Sequence, residues 1–130
     1  FKGVNDLYGH LAGDAVLAAV ADCCVRVFPS KEELVARFGG DEFAVVVPAG
    51  DPKEVLRLGE RLLAAVRALR VVHDGLEIPV SVSVGAAVLA PGESADDWTR
   101  RADRALYQAK AAGRDRLALA ETAGEAAEAA

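Results

Sequence analysis

The residues best suited to chemistry stand together in this chain: Arg37, Phe38, Gly39, Gly40, Asp41, Glu42 and Phe43. Two successive glycines leave room above the backbone for a bulky group to approach, because neither carries a Cβ. Two carboxylates follow at once. Their oxygens are the hard ligands that Mg²⁺ prefers, and Mg²⁺ usually takes one or two of them together with substrate phosphates. The same letters also suit an ordinary hairpin turn with solvated acids, and chemistry alone leaves both readings open. Further candidates lie near the two ends. Asn5, Asp6 and Asp14 are polar groups around the start of a helix, where Asp14 is also a good N-cap. Lys110 and Arg114 are four apart near a helix end, a spacing that shares a face. Two cations there also complement the helix dipole.

The elements that must position these groups follow from periodicity. Residues 1–13, with three glycines, read as irregular. From Asp14, the apolar residues Val16, Leu17, Val20, Cys24 and Val27 recur at helical spacing up to Pro29. Segments 34–38 and 43–47 read as strands, making a hairpin whose tip carries the two glycines and two acids. Asp51, Pro52 and Glu54 open a second helix with the stripe Val55, Leu58, Leu62, Val66 and Leu69. Segments 71–72 and 80–88 are expected to flank the Asp74–Gly75 turn. Ser94 and Asp97 start a third helix, whose inner face carries Trp98, Ala102, Ala105, Leu106 and Ala109 and which Gly113 stops. Residues 117–119 form a last strand. The order predicts an α/β sandwich of the α+β kind, one mainly antiparallel sheet with helices packed on it. A loop feeding a helix is usually entered from a strand, so a first strand is expected just upstream of Phe1. Trp98 and Tyr107 are read as core or interface packing residues, His10 as structural and His73 as a solvated turn residue.

Composition narrows the function classes. With 130 residues and 52% apolar residues, the chain has enough for one core. A net charge of −5 is wrong for a nucleic-acid binder, which needs a basic face, but leaves room for a small phosphorylated ligand held by two or three cations. No apolar run approaches the ~20 residues that span a bilayer, so no membrane contact is expected of this domain. The only cysteines, Cys23 and Cys24, are neighbours and are read as reduced thiols, which suits a cytoplasmic domain.

The heptad Arg37–Phe43 matches the signature of the GGDEF family letter for letter. Phe1-Lys2, Asn5-Asp6, Gly9-His10 and Gly13-Asp14 match the family pattern around its first helix. Ser83-Val84-Gly85 matches a strand, and Ala102-Asp103, Ala105-Leu106-Tyr107, Ala109-Lys110 and Gly113-Arg114 match the last helix. The chain thus resembles a diguanylate cyclase domain over residues 1–119, leaving 120–130 as an Ala/Glu-rich tail or linker. The resemblance implies a fold like the nucleotidyl cyclase and polymerase palm. It also implies condensation of two GTP molecules into cyclic di-GMP with release of pyrophosphate, in a homodimer, with Mg²⁺ or Mn²⁺ as cofactor. By the same resemblance, Gly39 and Gly40 admit the ribose and α-phosphate. Asp41 is a metal ligand that helps activate the 3′-hydroxyl, and Glu42 supports that metal. Asn5 and Asp14 read guanine. Lys2, Lys110 and Arg114 hold phosphates, and Lys2 is counted with the catalytic set.

Two departures from the family qualify this. The family's Asp-x-Asp stretch, whose first Asp is a metal ligand, would fall immediately before Phe1. The sequence as it stands is therefore expected to be inactive, with activity belonging to a longer parent that also carries an upstream sensor or a downstream regulatory domain. The alternative is a silent GTP-binding domain that regulates an attached domain such as a phosphodiesterase. Where many members bear a product-binding Arg-x-x-Asp motif, this chain has Ser30-Lys31-Glu32-Glu33. Serine cannot grip guanine as a guanidinium fork does, so product inhibition through this segment is not expected.

Overall fold

The computed structural model describes residues 2–121, with the side chain of Lys2 outside that description. The expected tail therefore lies, beyond Glu121, outside the described residues. Two compact units divide the chain: Phe1–Pro48 with Ala64–Ser81, and Ala49–Leu63 with Val82–Ala130.

In the first unit, the opening segment is helical rather than irregular. α1 runs Lys2–Tyr8 and α2 runs His10–Val27, with a single residue between them. That residue, Gly9, takes φ 90°, a conformation glycine adopts without a Cβ penalty. Its N–H donates to the Asn5 carbonyl (2.9 Å), and its own carbonyl accepts from Gly13 N–H (3.2 Å). Packing of α1 against α2 overrides the weak helix propensity of Gly3 and Gly13. Asp14 consequently lies inside α2 and caps nothing. The inner stripe of α2 buries Ala12, Val16, Val20, Cys23 and Cys24, and α2 packs on β3. Both cysteines are free, and burial raises both thiol pKa values.

β1 (Leu34–Arg37) and β2 (Phe43–Val46) form the expected antiparallel hairpin, pairing Leu34 with Val46 and Arg37 with Phe43. α3 (Pro52–Arg67) ends in this unit. β3 (Val71–His73) pairs with β4 (Leu76–Ile78) across Asp74 (φ 51°) and Gly75 (φ 75°), the two positive φ values of a tight type I′ turn. The strand after that turn is thus 76–78 and not 80–88. Pro79, which has no N–H to donate, follows it directly. Phe28, Val66, Val71 and Ile78 complete the buried apolar set here.

In the second unit, Asp51 Oδ1 accepts from Lys53 N–H (2.9 Å) at the start of α3. β5 (Val84–Ala86) runs parallel to β6 (Leu117–Leu119), pairing Val84 with Leu117 and Ala86 with Leu119. α4 (Ala95–Ala111) covers β5. Gly85 is what allows this, because a Cβ there would stand 2.3 Å from the backbone nitrogen of Leu106 and 2.4 Å from the Ala102 carbonyl oxygen. Ser94 Oγ accepts from Asp97 N–H (3.1 Å), the cap expected for this helix. Gly113 ends it in a Schellman turn: Arg114 N–H donates to Ala109 O (3.0 Å) and Gly113 N–H to Lys110 O (3.3 Å). Trp98 donates from Nε1 to Ala87 O at 2.8 Å. The architecture is α+β, with two antiparallel strand pairs and one parallel pair among the described residues and helices packed against strands.

Candidate functional site

The hairpin tip spans residues 38–42. Phe38 N–H (2.8 Å) and Gly39 N–H (3.4 Å) both reach the Glu42 carbonyl and close the loop. Arg37 then ties it down from the side, with Nε donating to Gly39 O (3.1 Å) and Nη2 to Gly40 O. Sequence reasoning quoted Arg37 only as part of the signature. Its position at the strand end, two and three residues before the carbonyls it holds, is the signal that it shapes the tip.

A Cβ on Gly39 or Gly40 would meet nothing within 4 Å, so the expected open space above the tip is present. Asp41 and Glu42 are both exposed, and neither side-chain carboxylate makes a hydrogen bond or ion pair among the described residues. These are free oxygen donors of the kind that fits a divalent ion bound to a nucleotide. No cluster of three or more His, Cys, Asp or Glu side chains that could hold a metal occurs among the described residues, and the tip itself carries two carboxylates. That number is ordinary for Mg²⁺ held together with phosphates.

Beside the tip, α2 and the hairpin enclose a groove of about 400 Å³. Leu17, Ala18, Ala21 and Val25 form one wall, and Val35, Ala36 and Phe43 form the other. Asp14 and Arg37 supply its charged groups. An apolar slot with a few polar groups suits a planar organic ring. Because Asp14 is not consumed as a cap, its carboxylate is free to accept hydrogen bonds. Asn5 comes from α1 and lies across Gly13, the residue before Asp14. The structure thus gathers Asn5, Asp14 and the signature hairpin in one unit. Lys2 begins α1.

Lys110 and Arg114 belong to the second unit. Lys110 is in the last turn of α4, while Arg114 lies beyond the helix end with φ 62°. The shared helical face expected from their spacing is therefore not formed, because the turn at Gly113 intervenes. Neither side chain makes an ion pair or hydrogen bond among the described residues. Tyr107, expected to pack, is exposed.

The Ser30–Glu33 segment is a self-satisfied turn. Glu33 Oε1 accepts from Ser30 N–H (2.9 Å), Ser30 Oγ from Glu32 N–H (3.2 Å) and Ser30 O from Glu33 N–H (3.1 Å).

Residues 1–116 match the family model described as "Diguanylate cyclase, GGDEF domain". The chain belongs to the GGDEF family. Among curated relatives, this GGDEF domain is 42% identical over 120 residues to diguanylate cyclase DgcP of Pseudomonas aeruginosa, covering 92% of this chain and 18% of that protein. It is 39% identical over 116 residues to diguanylate cyclase DgcZ of Escherichia coli K12, covering 89% and 39% respectively. The chain thus spans well under half of the relatives it matches. Among solved structures, the GGDEF domain of DgcB from Caulobacter crescentus in complex with cyclic di-GMP superposes with a TM-score of 0.86 at 35% identity, over 93% of this chain and 72% of that one. Diguanylate cyclase SiaD of Pseudomonas aeruginosa, in complex with its activator SiaC, also gives 0.86, at 34% identity over 92% and 45%. These likenesses establish the palm-like fold. No helix among the described residues is long and apolar enough to cross a membrane.

Proposed function

We propose that residues 1–119 are the catalytic domain of a diguanylate cyclase, which joins two GTP molecules into cyclic di-GMP. The observation that carries this reading is the tip itself: two unengaged carboxylates, Asp41 and Glu42, beside two glycines with open space above them. Degenerate signatures are what a silent domain would be expected to carry, and this one is intact.

In this reading, the groove next to Asp14 takes guanine. The Asp14 carboxylate accepts the two N–H groups on guanine's edge, which adenine does not present, and Asn5 adds a second contact. The wrong base would leave the carboxylate desolvated and unmatched, which disfavours it strongly. Gly39 and Gly40 let the ribose and α-phosphate lie against the tip. Lys2 contributes positive charge to the phosphates, a role that the family pattern also assigns to Lys110 and Arg114. Asp41, with Glu42 in support, holds the divalent ion (Mg²⁺ or Mn²⁺), which when bound neutralises phosphate charge and eases ionisation of the 3′-hydroxyl. The 3′-oxygen of one GTP, its proton lost towards Asp41 or solvent, bonds to the α-phosphorus of the other as pyrophosphate leaves. The same step in the opposite direction closes the ring. Since the product is symmetric, two subunits face each other, each presenting one GTP. A sensor or regulatory domain in the parent protein controls that pairing, and the reaction takes place in the cytoplasm.

The test is to incubate the complete protein with GTP and Mg²⁺ and to separate the products by chromatography. Cyclic di-GMP should form and Asp41→Asn should abolish it. GTP binding without product would instead assign the domain to regulation of an attached domain.

A further inference from the structure

Gly13 is a buried residue in the first turns of α2, and its backbone does not require glycine, since its φ lies outside the left-handed region. Glycine inside a helix is unfavourable relative to alanine, so space must account for it. A Cβ built on Gly13 would stand 1.7 Å from Oδ1 and 2.8 Å from Cγ of Asn5. Gly3 and Gly9, in contrast, would meet nothing within 4 Å. The missing side chain is thus a seat filled by the Asn5 carboxamide.

Among the described residues, no hydrogen bond fastens that carboxamide. The next residue, Asp14, lines the groove between α2 and the hairpin. One residue of α2 therefore seats Asn5 and the following one presents the carboxylate.

We infer that Gly13 is a positioning residue for base selectivity, holding the Asn5 carboxamide in register with Asp14 by the space it leaves open. This rests on the reading of Asn5 and Asp14 as the guanine contacts. The atom that an alanine would strike is the end of a side chain and not backbone. Alanine at position 13 therefore displaces Asn5 and leaves α2 intact.

The experiment compares the complete wild-type protein with Asn5→Ala, Gly13→Ala and the double variant. The probes are 3′-deoxy-GTP and 3′-deoxy-ATP, which lack the attacking hydroxyl and so report binding alone by calorimetry. Gly13→Ala should lower the preference for guanine by about tenfold, as should Asn5→Ala. The double variant should lose no more than the worse single, because both changes remove one contact. If Asn5→Ala reduces the preference and Gly13→Ala leaves it within about twofold of wild type, the role of Gly13 is refuted while the guanine reading stands. Losses that multiply in the double variant would refute it equally. If Asn5→Ala leaves the preference unchanged, the guanine reading of Asn5 fails and the inference falls with it. Should Gly13→Ala not fold, the double variant removes the overlap and is expected to fold. Its failure would mean that Gly13 is packed against something other than Asn5, and would overturn the assignment.

Discussion

Arg101 and Glu93 form a two-pronged ion pair, with Nε and Nη2 of the guanidinium each 2.7 Å from a different carboxylate oxygen. Their side chains retain only 5% and 6% of their exposure. Two further guanidinium N–H groups go to backbone: one from Nη1 to the Glu121 carbonyl (2.7 Å) and one from Nη2 to the Val88 carbonyl. α4 is thereby joined to the loop before it and to the chain after β6.

The pair carries a pH signature. Hydrogen bonding from Arg101, with a further contribution from Ala90 N–H, holds the Glu93 carboxyl down at about 2 from an ordinary 4.5. A depressed acid stabilises the fold fully above its unfolded value and loses that contribution as pH falls towards the folded one. Urea midpoints of the wild type should therefore decline from about pH 4.5 towards about pH 2, and Glu93→Gln should decline less across that window. Parallel curves would show that Glu93 does not report the acid limb. At neutral pH, Glu93→Gln should be less stable than wild type, because a buried guanidinium loses its charged partner.

Gly85→Ala should destabilise the second unit by about 1–3 kcal/mol, measured by denaturant unfolding. The added methyl would meet the backbone of Leu106 and Ala102, which cannot swing aside as a side chain can.

Gly39→Ala and Gly40→Ala should behave in the opposite way. Neither methyl meets protein, so stability should stay within about 0.5 kcal/mol of wild type. Cyclic di-GMP formation by the complete protein should fall by about 100-fold, because a methyl displaces the reacting groups from the tip. Unchanged turnover would mean that nucleotide does not lie against these glycines.

Cyclic di-GMP should not slow the enzyme through residues 30–33. The carboxylate of Glu33 is already engaged with the Ser30 backbone, and no guanidinium stands in the segment. Micromolar product inhibition that disappears on changing Lys31 and Glu33 to alanine would contradict this.

The hairpin was legible from sequence because β-branched residues flank a glycine pair, and because a five-residue tip leaves little choice of pairing. The capping of α4 was legible for a similar reason: Ser94, Asp97 and Gly113 act through bonds to near neighbours. The start was not. Gly3, Gly9 and Gly13 read as loop, yet only Gly9 has a positive φ, and Gly13 is glycine for the sake of Asn5. Asp14 was correspondingly misplaced as a cap. The strand expected over 80–88 shrank to Val84–Ala86 because its partner is the distant β6, a pairing that no local pattern encodes. The face expected for Lys110 and Arg114 failed because the Schellman turn redirects the chain between them. Among the candidate site residues, the glycines and acids of the hairpin stood out by type and spacing, whereas Asp14 stood out only through the resemblance to the GGDEF family. Arg37 had a sequence signal in its place at the strand end, but the carbonyls that it clamps are seen in the fold.

That clamp has a thermodynamic consequence. Fixing the backbone of one loop residue costs about 1–2 kcal/mol in conformational entropy. Were the tip to become ordered only when a ligand arrived, this cost would be subtracted from affinity. The guanidinium of Arg37, bonded to the carbonyls of Gly39 and Gly40, has the loop already shaped in the free domain. Preorganisation of this kind leaves more of the interaction energy available for holding the ligand itself.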